Sequence, residues 1–368
     1  MFKNEIPKAP IHNSPPRFIE VAGSHHQMGS QIGEAARHQL QHSVENARKL
    51  LDASFSSIQL TWEQAKTHAK KYLPFAEETY PHYVDEMRGI AEGANLNFDD
   101  VLVVNCMEEI AGDTLHLTHC TSMAVNNERS SNGHVLAAHN EDWYPDDEDD
   151  VLIISAKPNE EPPFLSMTYG ALLCNVGFNA YGITQLIDSV YPSDIRFGLP
   201  RLLVSRAVLA SQRITDAFAR ILVANRAAGY NHLIVHESGE IYSVEVSSKR
   251  FEMLYARDGS MIHTNHYLDP QMKLIERNPE HLLSSRARYF RALRLLGQKE
   301  KHSIESLQAI QQDHVNVPKS ICNHDIIGEP IDQHKTICAL VIDLTEREMH
   351  VAWGNPCQNQ YHTYKLNA

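Results

Sequence analysis

The sequence predicts an α+β protein in which an antiparallel sheet is covered by helices, and three observations carry that expectation. Residues 1 to about 112 are rich in Ala, Leu, Glu and Lys with apolar residues three to four apart. Strand pairs joined by short polar connections stand at residues 120–143 and 336–353, and helical segments return between them. Strands followed by helices and by strands again, with hairpins at both ends, suit a sheet with helices packed on it.

Taken in order, a Pro-containing leader extends to about residue 17. Segments 29–52 and 61–93 carry the helical spacing, with Ile90 and Ala94 behind Val84 and Met87, and 99–111 is a further apolar-rich helical segment ending at Gly112. The β signal begins at residue 120. Beyond the acidic run 146–150 come strands at 151–155, 164–173 and 182–187. The run itself reads as a solvated loop, because the alternating Asp/Asn ligands and the Gly of a calcium-binding EF-hand are missing. Helices follow at 200–209 and 215–225, the second with Thr215 as N-cap. Strands at 232–236 and 240–246 are linked through Glu237-Ser238-Gly239, a hairpin signal. Helices at 282–296 and 303–313 precede a last hairpin made of 336–344 and 348–353.

Composition narrows the function class. With 368 residues, 42% hydrophobic and 21% charged, the chain has the length and make-up of a globular protein with a sizeable core. A net charge of -13 without clustered Lys and Arg argues against a nucleic-acid surface, since phosphate neutralisation needs such clusters. No apolar run approaches the roughly 18 residues of a membrane span, and M-F-K-N-E-I-P-K-A-P lacks the apolar core of a signal peptide, so a cytoplasmic protein with no membrane partner is expected. The six cysteines (106, 120, 174, 322, 338, 357) are widely spaced without C-x-x-C, which suggests neither a disulfide framework nor a zinc ribbon. No cofactor is expected.

The stretch that concentrates the chemistry is T-H-C-T-S-M-A-V-N-N-E-R-S-S-N-G-H-V-L-A-A-H-N-E-D-W, residues 118–143. Its polar middle with a terminal Asn-Gly separates two apolar runs, as in an antiparallel hairpin. A turn centred between Ser130 and Ser131 makes facing residues sum to about 261 or 262, which sets Cys120 opposite Glu141 or Asp142 and Ser122 opposite His139 or Asn140. A Cys at the start of a strand can act as a nucleophile in place, or it can become a new chain terminus if the His119-Cys120 peptide is cut. In the second case it supplies its own base: an α-amino group titrates near ~8 and a thiol near ~8.5, about one proton transfer apart.

These residues resemble the penicillin acyltransferase (isopenicillin-N acyltransferase) family, cysteine members of the N-terminal nucleophile hydrolases. The resemblance rests on H-C-T-S and A-H-N-E-D-W together with four further stretches. They are F-I-E-V-A-G-S-H-H-Q-M-G-S-Q-I-G from Phe18, H-T-N-H-Y from His263, S-S-R-A-R-Y from Ser284, and T-I-C-A-L-V-I-D-L…H-V-A-W-G-N-P-C from Thr336. Members commonly carry Gly before the nucleophile; this chain has His119.

The resemblance implies a four-layer αββα sandwich, cut by itself between His119 and Cys120 into a mainly helical chain 1–119 and a nucleophile-bearing chain 120–368. The product is a self-cleaved αβ heterodimer able to oligomerise further. It implies Cys120 as nucleophile, Asp142 orienting the new amino group, Asn265 as side-chain oxyanion donor, and Asn140, Ser285 and Arg286 as substrate-pocket residues. The default reading of Ser284, Ser285, Arg286 and Arg288 is an N-cap and a solvated basic helix face. The other cysteines, Cys106, Cys174, Cys322, Cys338 and Cys357, read as buried structural residues.

The expected reaction is hydrolysis of a linear amide of an N-acylated amine or amino acid through an acyl-enzyme thioester. If an amine resolves the thioester instead of water, the same site is an acyltransferase drawing on an acyl-CoA or an amide. A metal-dependent hydrolase is the rival of another class. His263-Thr264-Asn265-His266 invites it, but the chain has no H-E-x-x-H and no further ligand can be placed beside that tetrad, so no metal is expected. A non-catalytic binding relative would show an uncut chain and no unusually reactive thiol.

Overall fold

The computed structural model describes residues 6–52, 60–111, 120–325 and 334–367. The chain opens on β1 (Arg17–Gly23) and passes through α1 (His25–Ala35), α2 (Arg37–Asp52), α3 (Trp62–Ala69), α4 (Leu73–Thr79), α5 (Pro81–Ala94), α6 (Phe98–Asn105) and α7 (Met107–Ala111). Then come β2 (Thr121–Val125), β3 (Leu136–Trp143), β4 (Val151–Pro158), β5 (Phe164–Tyr169), β6 (Val176–Asn179) and β7 (Ile183–Ser189). Helices α8 (Arg201–Val208) and α9 (Ile214–Ile221) lead to β8 (Tyr230–His236), β9 (Ile241–Val246), β10 (Phe251–Tyr255) and β11 (Ser260–His263). The last part holds α10 (Pro270–Lys273), α11 (Leu283–Leu296), α12 (Ile304–Gln311), β12 (Lys335–Asp343), β13 (Glu348–Trp353) and β14 (Tyr361–Lys365).

The strands form two sheets, ordered β1-β4-β5-β6-β7-β8-β9-β10 and β11-β2-β3-β12-β13-β14. On the outer face of the six-stranded sheet, Met123, Val125, Leu136, Ala138 and Val341 pack against Ala292 and Leu296 of α11 and Leu307 and Ile310 of α12. On the outer face of the eight-stranded sheet, Ile183, Ile234 and Val244 pack against Val208 of α8 and Ala217 and Ile221 of α9. The inner faces close on each other, so the architecture is helix, sheet, sheet, helix: the αββα sandwich. Because both faces of β2 and β3 are covered, every residue of these two strands is buried.

Several local expectations are corrected. Segment 61–93 is three helices, because Pro74 and Pro81 lack an amide hydrogen and clash with a preceding turn; each stands in the first turn of a new helix. Where the leader was expected to end, the chain forms strand β1. It pairs in parallel with β4 across more than a hundred residues, a partner that local pattern does not announce. The N-cap of α9 is Arg213, boxed with Asp216, and not Thr215. The acidic run 146–150 is a 3-10 turn with Asp147, Glu148 and Asp150 buried and Asp146 and Asp149 exposed. Asp147 accepts from Asn46 (2.8 Å) and from the Trp143 indole (2.6 Å), Glu148 pairs with Lys335 (2.5 Å), and Asp150 pairs with His42 (3.0 Å).

Two of the contacts that join the part of the chain before residue 120 to the part after it are extensive. The first is the β1–β4 ladder. The second is Arg206 of α8, fully buried, which donates to both oxygens of Glu86 on α5 (3.2 and 3.0 Å) and to Glu161 (3.2 Å). Burial alone would raise the Glu86 carboxyl, but the Arg206 guanidinium and a 2.7 Å bond from His25 outweigh it, so the group stays below its ordinary value. Breaking such a pair by removing one partner leaves an uncompensated buried charge and typically costs about 3–5 kcal/mol.

Candidate active site

The hairpin register decides what stands beside Cys120. In β2–β3 the pairs are Thr121↔Asn140, Ser122↔His139 and Val125↔Leu136, a constant sum of 261, although residues 126–135 form a longer connection than a two-residue turn. Cys120, immediately before β2, therefore shares a face with Glu141, and its Sγ lies 3.9 Å from Glu141 Oε1. That face looks into the space between the two sheets. Asn140 and Asp142, one residue to either side of Glu141, point the opposite way, toward α11 and α12.

Around the thiol lies a buried polar network. Ser122 Oγ is 2.9 Å from both His139 Nδ1 and Asp188 Oδ1, and His139 Nε2 is 2.9 Å from Glu141 Oε2. Asp188 in turn accepts from Asn231 (3.1 Å) and lies 3.4 Å from His263 Nδ1, while His263 Nε2 is 2.9 Å from Glu245. Both nitrogens of His139 and of His263 are thus turned to carboxylates or a hydroxyl, and His266 Nδ1 sits against Ser285 Oγ (2.8 Å). A ring nitrogen of His139 lies within 4.8 Å of the Cys120 sulfur, but both nitrogens of that ring are held by Ser122 and Glu141. Burial pushes the Cys120 thiol well above its ordinary value, and the charges of Glu141, Asp188 and Asp142 push it further. In the continuous chain it is a thiol that needs a base, not a standing thiolate.

His263 runs the other way. Burial would pull it down, but the Asp188 and Glu245 carboxylates outweigh that and hold it up at about 9, so it is an imidazolium at neutral pH. A folded-state value raised above the unfolded one gives stability that is fully present below about 6.5 and is lost as pH rises through about 9, on the order of 3 kcal/mol in all. Denaturant unfolding is expected to show this decline for the wild type. His263→Gln is expected to be less stable at the acid end and to decline less steeply across the window; an equally steep decline in that variant contradicts the assignment.

On the opposite face of β3, Asp142 accepts from Thr336 Oγ1 (2.6 Å), while its second oxygen, Oδ2, is buried without a hydrogen-bond partner. Burial is the main reason its carboxyl rises to about 7; Arg288 and Thr336 oppose the shift. Arg288 of α11 ties the site together. Its Nη1 donates to the Cys120 carbonyl (2.5 Å) and to Thr121 Oγ1 (2.8 Å), and its Nη2 to Asn265 Oδ1 (2.8 Å). With its oxygen held by Arg288, the Asn265 amide must present its NH2 as donor, which now reaches the Ser189 carbonyl at 3.2 Å.

The residues singled out from sequence divide accordingly. Cys120, Asp142 and Asn265 come together around Arg288. Asn140 does not face the cavity: its amide donates to the carbonyls of Gln311 (3.1 Å) and Ile321 (2.8 Å), behind the sheet. Ser285 is a support, its Oγ accepting from the Asn265 backbone at 2.8 Å. Arg286 pairs with Glu276 (2.9 Å), away from Cys120. His119 lies outside the described residues. Sequence reasoning set Glu141 or Asp142 opposite Cys120 but gave Glu141 no role, and it read Arg288 as part of a solvated basic face although the side chain is buried. Arg288 had a signal, since it stands three residues after Ser285 and four before Ala292, on the buried face of α11, whereas Arg286 lies off that face.

Cys120 and Glu141 form the floor of a cavity between the sheet ends and helices α2, α6 and α7, walled by Tyr169, Trp143 and Glu108. Glu108 is fixed by Tyr230 (2.7 Å), Ser189 (3.0 Å) and Arg201 (3.1 Å). Donor atoms of Cys120, His139 and Glu141 lie close enough to one another to hold a metal, and so do those of His25, His82 and Glu161. Both sets are already engaged in hydrogen bonds and ion pairs within the protein. A further set, His314, Cys322, His324 and Cys357, is grouped in the same way.

Residues 128–358, more than half of the chain, match the family model described as acyl-coenzyme A:6-aminopenicillanic acid acyl-transferase. The chain is 24% identical over 342 residues to the 40 kDa form of acyl-coenzyme A:6-aminopenicillanic-acid-acyltransferase of Emericella nidulans, covering 92% of each. It is 24% identical over 223 residues to the β-alanyl-dopamine/carcinine hydrolase of Drosophila melanogaster, covering 54% of this chain and 55% of that one. Among solved structures, a mutant conjugated bile acid hydrolase from Clostridium perfringens aligns with TM-score 0.46 and 12% identity over 67% of this chain and 97% of its own. Penicillin V acylase from Agrobacterium tumefaciens aligns with TM-score 0.45 and 15% identity over 64% and 83%. No helix among the described residues is long and apolar enough to cross a membrane.

Proposed function

The chain belongs to the acyl-coenzyme A:6-aminopenicillanic acid acyl-transferase family, and from that premise we propose a self-processing cysteine amidohydrolase acting on a linear amide of an N-acylated amine or amino acid. The observation that carries the site assignment is Arg288, which binds the backbone of Cys120 and the side chain of Asn265 at once while the Cys120 thiol opens on the cavity.

Cleavage between His119 and Cys120 yields chains 1–119 and 120–368, which the β1–β4 ladder and the Arg206–Glu86 pair keep associated as a heterodimer. In turnover the Cys120 sulfur attacks the substrate carbonyl, its own α-amine takes the thiol proton and returns it to the leaving amine, and Asn265 with a backbone N–H holds the oxyanion. Asp142 Oδ2, lacking a partner in the continuous chain, is the acceptor for the new ammonium, and that charge draws its carboxyl back down. Water then opens the thioester.

Hydrolysis is favoured over transfer from an acyl-CoA by the charge of the cavity. Its walls carry Glu108, Glu109, Glu141, Asp146 and Asp147 against Lys49, with Arg201 paired to Glu108 and Glu109, a net acidic lining that suits an amine-bearing substrate over a phosphate-bearing one. The substrate class is tested with a β-alanyl amide and an N-acyl amino acid as probes. Acid-quenched samples taken during turnover are expected to show the 120–368 chain heavier by the acyl group, with the added mass on Cys120. Amine release without any adduct on Cys120 contradicts the thioester route.

A further inference from the structure

We propose that His314, Cys322, His324 and Cys357 form a tetrahedral zinc site that clamps the C-terminal loop to the loop supporting the nucleophile strands. The four come from two separate connections: 314, 322 and 324 from the one after α12, and 357 from the one between β13 and β14. Their donor atoms all lie within 4.8 Å of one another. His314 Nε2 is 3.2 Å from His324 Nε2, and both Cys322 Sγ and Cys357 Sγ are 3.5 Å from that same His324 nitrogen.

These three spacings match three of the six edges of a zinc tetrahedron. Bond lengths of about 2.3 Å to sulfur and about 2.0–2.1 Å to nitrogen at the tetrahedral angle place two nitrogens about 3.3 Å apart and nitrogen from sulfur about 3.5 Å. Hydrogen bonding does not account for the cluster as well. An imidazole nitrogen carries either one hydrogen or one lone pair, so His324 Nε2 can satisfy one of the three donor atoms around it. A cation at the centre satisfies all four.

The donor set selects the ion. Two thiolates and two neutral imidazoles suit a borderline-soft cation and do not suit magnesium or calcium, which prefer oxygen. Zn2+ displaces the two thiol protons to solvent, so the filled site is neutral. The Asn355 amide donates to Cys322 Sγ (3.5 Å) and to the Asn323 carbonyl (2.7 Å), the kind of outer support that fixes a thiolate ligand. With four protein ligands and no open position, the site is structural.

Its place in the fold gives it work to do. Asn323, between two of the ligands, donates its backbone N–H to Thr336 Oγ1 (2.9 Å), and that hydroxyl donates to Asp142 (2.6 Å). The Ile321 carbonyl, next to Cys322, accepts from Asn140 of β3 (2.8 Å). The clamp therefore braces the segment that holds Asp142 and Asn140, on the side of the sheet away from the cavity.

The test uses tag-free full-length protein made in zinc-supplemented medium and purified without chelator. Elemental analysis is expected to give one zinc per chain in the wild type and in Cys120→Ala, and at least a tenfold loss in His314→Ala and Cys357→Ser, with a lowered Tm when the wild type is stripped. Cobalt(II) added to stripped wild type is expected to give tetrahedral d–d bands with thiolate charge-transfer absorption, a readout that survives if the variants fail to fold. The proposal is overturned if wild type with reduced thiols binds neither metal, or if both variants keep full zinc. It is equally overturned if unreduced protein is lighter by two hydrogens through a Cys322–Cys357 disulfide.

Discussion

Cys120→Ala is expected to accumulate as one uncut chain of 368 residues with no measurable turnover. The two losses have one cause. In processing, the sulfur attacks the carbonyl of the preceding residue and shifts the peptide to a thioester that water opens; in turnover, the same sulfur attacks the substrate amide. Alanine has no nucleophile for either. It is also a mild structural change, since it removes one buried atom whose approach to Glu141 is a long 3.9 Å. The variant should therefore fold, and a single band on denaturing gels, together with wild-type near-UV circular dichroism, checks both halves. Two chains in this variant would place the cleavage chemistry on another residue.

Asn265→Ala separates stabilising the oxyanion from making the nucleophile. Loss of one oxyanion donor typically lowers turnover about 10²–10³-fold, and the covalent route survives. The expected result is a roughly hundredfold or greater fall in kcat with Cys120 still open to iodoacetamide. Arg288 complicates the variant in a way that can be read. Its Nη2 loses the Asn265 acceptor while Nη1 keeps the Cys120 carbonyl and Thr121. Asn265→Asp retains the acceptor and removes the donor, so it is expected to be as impaired as the alanine. Near-normal turnover in both variants means that the donor is elsewhere.

What the sequence disclosed follows from the range of the interactions involved. The hairpin was legible because its two strands are neighbours in the chain and a symmetric turn fixes their sum, which the structure shows to be 261. Helices α11 and α12 were legible from periodicity. Strand β1 was not, since its ladder runs to residues 152–158 and nothing local marks a parallel partner. The acidic run looked solvated because its partners, Asn46, His42 and Lys335, approach from distant segments. Within the site, the family resemblance pointed to the right region of α11, but only the helical face distinguishes Arg288 from Arg286. Asn140 was misplaced by the strand period, which turns neighbours of a cavity residue away from the cavity. Cys322 and Cys357 carried no metal signature, because their spacing matches no short motif and Cys357 is brought to Cys322, His314 and His324 from a separate loop.

The central claim is that the free α-amine of Cys120 is the base of the reaction, and one comparison tests it most directly. Residues 120–368 are expressed with an added Met before Cys120 alongside residues 1–119, and turnover is compared before and after an aminopeptidase removes that Met. The imidazoles near the site are turned to other partners: His139 to Ser122 and Glu141, His263 to Asp188 and Glu245, and His266 to Ser285. The capped form is therefore expected to be inactive although its thiol is intact, and trimming is expected to restore turnover. Equal turnover in the capped and trimmed forms would contradict the claim and move the role of base to the Glu141–His139 pair beside the sulfur.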